Sequence, residues 1–115
     1  FADWRAGFEN FSRVIRDENG NIIRTVEKKD ADESELSILE VNPCYMVFNR
    51  NFLFSELENI SNDNAQGEYY LTDLIHRATT GGYKIKTISI DAREALGANT
   101  LEQKELIERI LKSII

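Results

Sequence analysis

The side chains that could do chemistry gather at four places: Glu27, Asn42, the run over residues 62–73, and Asn99. Each falls at an expected strand end or helix start, where ligands meet an α/β sheet. The run reads Asn62-Asp63-Asn64-Ala65-Gln66-Gly67-Glu68-Tyr69-Tyr70-Leu71-Thr72-Asp73. Its first half is turn chemistry, since Asn and Asp bond their own backbone and Gly accepts left-handed angles. Its second half brings two tyrosines, a threonine and an aspartate to the start of a helix. N–H groups and hydroxyls gathered in this way suit an anion or a sugar. Glu27 closes a hairpin strand and could accept two hydrogen bonds from sugar hydroxyls; the alternative is a surface ion pair with Lys28 or Lys29. Asn42 lies in an apolar run, where an unpaired buried amide costs roughly 1–3 kcal/mol, so a structural network or a ligand must satisfy it. Tyr70 and Thr72 could equally be core packing and a cap. Asn99 could be a helix N-cap, or the residue before a Thr100 cap.

Composition narrows the partners. The chain has 115 residues, enough for one small domain. It carries a net charge of −6, and Lys28-Lys29 runs straight into Asp30, Asp32, Glu33 and Glu35. No basic stripe is left for a nucleic acid. A negative chain that handles anions needs a cation or a local basic site, which fits a magnesium-dependent reaction. The single cysteine, Cys44, excludes an internal disulfide, and the single histidine, His76, has no second His or Cys for a metal cluster. His76 reads as a solvent-facing helix residue. No apolar run approaches the ~18 residues of a membrane span and no signal peptide opens the chain, so the cytoplasm is the expected location.

These residues need elements to hold them. Phe1-Ala2-Asp3-Trp4 reads as the tail of a strand, and residues 5–10 as a turn. Ser12–Arg16 and Ile22–Val26 read as a hairpin around Asn19-Gly20. Asp32 can cap a short helix through residue 38. Residues 40–49 form an apolar run typical of a central strand, with Pro43 marking an edge, bulge or bend. Residues 51–60 suit an amphipathic helix with Phe52, Leu53, Leu57 and Ile60 inward. A helix is expected over 68–80, ended by Gly81-Gly82, then a strand over 83–90 and a short helical turn over 91–96. Leu101–Ile114 repeats apolar residues at helical spacing.

The stretch Asn64-Ala65-Gln66-Gly67-Glu68-Tyr69-Tyr70-Leu71-Thr72-Asp73 resembles the signature of the bacterial N-acetylglucosamine-1-phosphate uridyltransferases, the GlmU-type sugar nucleotidyltransferases. Other segments follow in that family's order. Phe11-Ser12-Arg13 stands where the family has Tyr-Gly-Arg. Val26-Glu27-Lys28-Lys29-Asp30 is similar to Val-Glu-x-Lys-Asp, Glu40-Val41-Asn42-Pro43-Cys44 to Glu-(Ile/Val)-Asn-Thr-Gly, and Gly97-Ala98-Asn99 to Gly-Val-Asn. The likeness runs from Phe11 onward.

The resemblance implies an α/β fold: a mixed sheet flanked by helices with a protruding β-hairpin, part of a nucleotide-diphospho-sugar transferase (Rossmann-like) domain. It implies that UTP and N-acetylglucosamine 1-phosphate give UDP-N-acetylglucosamine and pyrophosphate. Glu27, Asn42, Tyr70, Thr72 and Arg13 would surround the sugar, and Asn99 would supply one of two magnesium ligands. The family's Gly-rich loop, Leu-Ala-x-Gly-x-Gly-Thr-Arg-Met, has no counterpart here, nor has the Asp that completes the magnesium site. The chain is therefore expected to be the C-terminal, sugar-binding half of a nucleotidyltransferase domain. It would be inactive alone, with the N-terminal nucleotide-binding half of the same protein as its partner. Ser12 and Pro43-Cys44 depart from the family pattern. They leave two alternatives open: an enzyme for another sugar 1-phosphate, or a non-catalytic sugar-nucleotide-binding or regulatory relative.

Overall fold

Asp17 turns the chain back on itself. Its carboxylate accepts hydrogen bonds from the N–H groups of Asn19 (2.9 Å) and Asn21 (2.8 Å) and from the Asn21 side chain (3.0 Å). In the computed structural model, which describes residues 8–115, the flanking runs pair as β1 (Ser12–Arg16) and β2 (Ile22–Val26), with the bounds their alternation predicts. They run antiparallel, with Arg13 opposite Val26, Val14 opposite Thr25 and Ile15 opposite Arg24, and the register slips between Ile15 and Arg16. The strand tail expected at Phe1-Ala2-Asp3-Trp4 lies outside the described residues.

The apolar run over 40–49 does not make a central strand. Only Val41–Asn42 pairs, as β3, antiparallel to β1 on the side away from β2. Pro43 has no N–H to donate, and Cys44 takes a φ of +63°, a left-handed conformation that breaks the ladder. Val47 beyond it is fully exposed. Residues 83–90, also expected as a strand, pair with no strand among the described residues. The observed sheet is thus three-stranded and antiparallel where a mixed one was expected. An apolar run reports a wish for burial; it cannot supply the neighbouring strand.

The helices follow their caps. Asp32 and Glu35 form a capping box on α1 (Glu33–Leu36), two residues shorter than expected. Asn49 caps α2 (Arg50–Glu56), which tightens into a 3-10 turn at Leu57–Asn59 rather than continuing as α-helix to residue 60. α3 (Asp73–Thr80) starts five residues later than residue 68. Asn64 is the reason: its side chain accepts from the N–H groups of Gln66 and Glu68 (both 3.2 Å) and donates to the Glu68 carbonyl (2.6 Å). Gly67, at φ +65°, completes that loop. α3 ends in a Schellman arrangement, with Tyr83 N–H on the Ala78 carbonyl and Gly82 N–H on that of Thr79, and Gly82 at φ +75°.

α3 lies along β2, and the Thr79 hydroxyl donates to the Ile23 carbonyl (2.8 Å). Its inner face carries Leu74, wholly buried, and Ala78, which join Phe52 of α2; Phe48, Leu53, Ile60 and Ile85 pack around them. The Tyr83 ring tilts onto Phe52 at 4.8 Å. Arg77 joins Glu56 across the two helices at 2.5 Å.

Residues 11–87 make this one compact unit; residues 8–10 and 88–115 belong to a second. In the second, Phe8–Asn10 form a turn and Asp91 caps a 3-10 turn at Ala92–Ala95. Thr100 and Gln103 form a capping box on α4 (Leu101–Ile114).

Leu74→Ala is expected to lower the unfolding free energy by about 2–5 kcal/mol, because the site is sealed on every side. Leu71→Ala, at a position 46% exposed, is expected to cost less than about 1 kcal/mol. Urea unfolding of the two variants checks the contrast.

Candidate functional site

The sheet register lines up the polar side chains. Ser12 faces Asn42 across β1 and β3, which puts both side chains on one face of the sheet. Arg13 faces Val26 across β1 and β2, so one further step brings Glu27 level with Ser12. Glu27, Ser12 and Asn42 therefore fall in one row across the ends of three strands. Ser12 is 2% exposed. The Asn42 carboxamide oxygen accepts from the Cys44 N–H (2.9 Å), closing a turn over Pro43. Its amide nitrogen and the Ser12 hydroxyl are buried without a hydrogen-bond partner among the described residues. A buried group in that state costs roughly 1–3 kcal/mol, which a ligand or ordered water can recover. Arg13, also buried, alternates to the opposite face from Ser12, and its guanidinium donates to the Phe11 carbonyl. The structure brings Glu27 and Asn42 to one row and leaves Arg13 off it.

Thr72 joins the row from α3. Its hydroxyl donates to Glu27 Oε1 at 2.9 Å, and its carbonyl accepts from the Thr25 hydroxyl at 3.4 Å. Thr72 occupies the N-cap position of α3, where a hydroxyl ordinarily accepts from the N–H groups of the first turn. Here it makes no such bond and its backbone is already helical.

The loop before α3 is moored at Asp30, a residue that sequence reasoning passed over. Asp30 Oδ1 accepts from the Ala65 N–H (2.7 Å) and Oδ2 from the Tyr70 hydroxyl (3.1 Å). Gln66 Nε2 donates to the same hydroxyl (2.7 Å). Asp30 ends the Val-Glu-x-Lys-Asp segment, which is the signal in the sequence that marks it; its partners lie 35 and 40 residues away.

No family profile matches the chain. Individual proteins do: it is 43% identical to the Bifunctional protein GlmU of Lactobacillus gasseri over 90 residues, 77% of this chain and 20% of the relative. It is 44% identical to that of Alcanivorax borkumensis and 48% to that of Ralstonia pickettii, each over 101 residues, 87% of this chain and 22% of the relative. The chain is a GlmU relative. It spans about a fifth of the length of the relatives it matches.

Three acids converge in this GlmU-like segment. Burial raises the Glu27 carboxyl above its usual range; the Thr72 hydroxyl offsets part of this, and Asp30 and Asp73 push it further up. Asp73 is raised by burial and by Asp30, with His76 acting the other way. Cys44, facing the same charge, has its thiol raised by burial and then by Glu27, so it is a poor nucleophile. Such a site accepts hydrogen bonds from hydroxyls and amides. Asn99 lies in the second unit, just before the Thr100 cap, and its N–H donates to Gln103 Oε1 at 2.7 Å. It is not itself the cap; its carboxamide makes no hydrogen bond to a described residue. Among the described residues no group of three or more His, Cys, Asp or Glu could hold a metal ion.

Because the native carboxyl of Glu27 holds its proton to higher pH than in the unfolded chain, ionising it opposes folding. Stability contributed by neutral Glu27 is present at low pH and lost as pH rises through the raised value. Glu27→Gln is therefore expected to be more stable than the parent sequence at neutral pH, with the gap closing as pH falls below the ordinary carboxylate range. Urea midpoints at both ends of that range measure it; a gap that stays constant would show that Glu27 titrates normally.

Proposed function

We propose that this chain is the sugar-binding part of a nucleotidyltransferase that makes UDP-N-acetylglucosamine and pyrophosphate from UTP and N-acetylglucosamine 1-phosphate. The observation that carries this reading is the Thr72 hydroxyl, diverted from its helix to Glu27 at the end of a row of buried polar atoms. Glu27 accepts from sugar hydroxyls. Asn42 offers its amide nitrogen, while Thr72 keeps Glu27 oriented and Tyr70 closes the side made by the loop. Arg13 supports the row from the opposite face of β1 rather than from within it.

The segments over 45–49 and 83–90, which pair with no strand among the described residues, would be strands of a larger, Rossmann-like sheet completed by the nucleotide-binding part of the same protein. Their exposed side chains, with Tyr45 at 68% and Ile88 at 88%, suit that role. Asn99 offers one neutral oxygen of the hard type that magnesium prefers. A single such donor leaves most of the octahedral shell to phosphate, water and residues outside this chain. Magnesium bound there would neutralise phosphate charge. The sugar phosphate oxygen attacks the α-phosphorus of UTP in line and pyrophosphate leaves, so the work of this chain is to hold that oxygen in place. Among the described residues no helix is long and apolar enough to cross a membrane, and we assign the protein to the cytoplasm.

A second reading, an enzyme for a different sugar 1-phosphate, draws on Ser12 and the left-handed Cys44, which reshape the row where the sugar would lie.

Titration of the 115-residue chain with N-acetylglucosamine 1-phosphate is expected to shift NMR signals of residues 12, 27, 42 and 65–72. Shifts from another sugar 1-phosphate but not from this one would favour the second reading, and none from a panel of them would overturn both. The chain alone is expected to release no pyrophosphate from UTP above a no-protein control. In a full-length protein carrying this segment, Asn99→Ala is expected to lower kcat by about tenfold or more while the KM for the sugar phosphate stays within about twofold. A comparable loss in both would make Asn99 only a neighbour of the helix cap.

A further inference from the structure

Asp30 is exposed and lies outside the row of side chains read above as sugar contacts, yet one carboxylate closes two bonds across 35 and 40 residues of sequence. The protonation logic around it is closed. An ionised carboxylate only accepts, so the Tyr70 hydroxyl must spend its single hydrogen on Asp30 Oδ2. Gln66 must then present its NH2 group, not its carbonyl, to the Tyr70 oxygen. The phenol has two lone pairs and Gln66 occupies one. One lone pair remains.

We propose that Asp30 is a positioning residue: it holds the Tyr70 hydroxyl with its hydrogen turned away from the ligand, so that Tyr70 meets the sugar only as an acceptor. Tyr70 then selects a sugar that presents a hydroxyl or amide N–H to it and discriminates against one with an ether or carbonyl oxygen at that point. The same carboxylate pins the Ala65 N–H and with it the loop that carries Gln66, so the orientation is set before any ligand arrives. This inference rests on the sugar-binding reading of Tyr70.

The test is a double-mutant cycle on the full 115-residue chain, read by NMR titration with N-acetylglucosamine 1-phosphate. Asp30→Asn is nearly isosteric. Its carbonyl can keep the Ala65 N–H, but its amide donates to Tyr70 and releases the phenol hydrogen. D30N is expected to weaken binding about tenfold alone and less than about twofold when added to Y70F, because its effect passes through the hydroxyl that Y70F removes. Equal losses in both backgrounds, or no loss in either, would overturn the proposal.

If the unaltered chain does not bind the sugar phosphate, the reading of function fails and the Asp30 geometry is decided without ligand. Asp30 and Glu27 both act on Tyr70, whose phenol is raised by burial and by these carboxylates. D30N is then expected to lower the titration midpoint of the Tyr70 ring carbon, identified as the signal lost in Y70F. An unchanged midpoint would show that Asp30 does not hold the hydroxyl.

Discussion

The hydrogen bond from Thr72 to Glu27 fastens the start of α3 to the end of β2, 45 residues earlier in the chain. An N-cap hydroxyl on its own helix would contribute about 0.5–2 kcal/mol. Sending it to Glu27 forgoes that and leaves α3 to be held by tertiary contacts. Those contacts exist along the rest of the strand. Thr25 reaches the Thr72 carbonyl, Thr79 reaches the Ile23 carbonyl, and Leu74 and Ala78 bury against Phe52. The helix is held along its side as well as at its start, so it does not need its N-cap hydroxyl for its own first turn.

The same arrangement explains why three acids sit together. Glu27, Asp30 and Asp73 each have a local partner or a packing reason to be where they are. Glu27 holds Thr72, Asp30 holds Ala65 and Tyr70, and Asp73 opens α3, where a negative charge complements the helix dipole. Burial raises Glu27 and Asp73 and the neighbouring acids add to it, so the folded state carries a cost that uncharged residues would relieve. Stability alone gives no ground for such clustering. A ligand that brings hydroxyl donors to the acids does, since charge-assisted hydrogen bonds are stronger than neutral ones.

How much of this was legible in sequence divides by physical range. The hairpin was, because Asp17 and Asn19-Gly20 set it within five residues. The caps at Asp32 and Thr100 were, because each needs only a partner three residues on. Residues 40–49 and 83–90 were misread because an apolar run does not say who pairs with it. The start of α3 was misread because Asn64 holds Gln66 and Glu68 in a loop that propensity alone would extend as helix. In the site, resemblance pointed to Glu27 and Thr72, and the structure joins them. Asp30 stayed hidden because its partners lie far off in sequence. Arg13 was grouped with the sugar contacts by its motif, but strand alternation turns it to the other face.

Ser12 is where sequence and structure press on each other most. A glycine at this point lets backbone and ligand approach; a serine adds a hydroxyl, and here that hydroxyl is buried opposite Asn42 with both groups unpaired among the described residues. Two unsatisfied polar atoms side by side are a costly way to fill a sheet edge, and the next turn, Pro43 with left-handed Cys44, adds backbone strain at the same spot. Packing would be served better by glycine or alanine. A substrate group or a trapped water bridging Ser12 and Asn42 would satisfy both atoms at once. The strain and the unpaired polar atoms therefore share one location, the row that begins at Glu27.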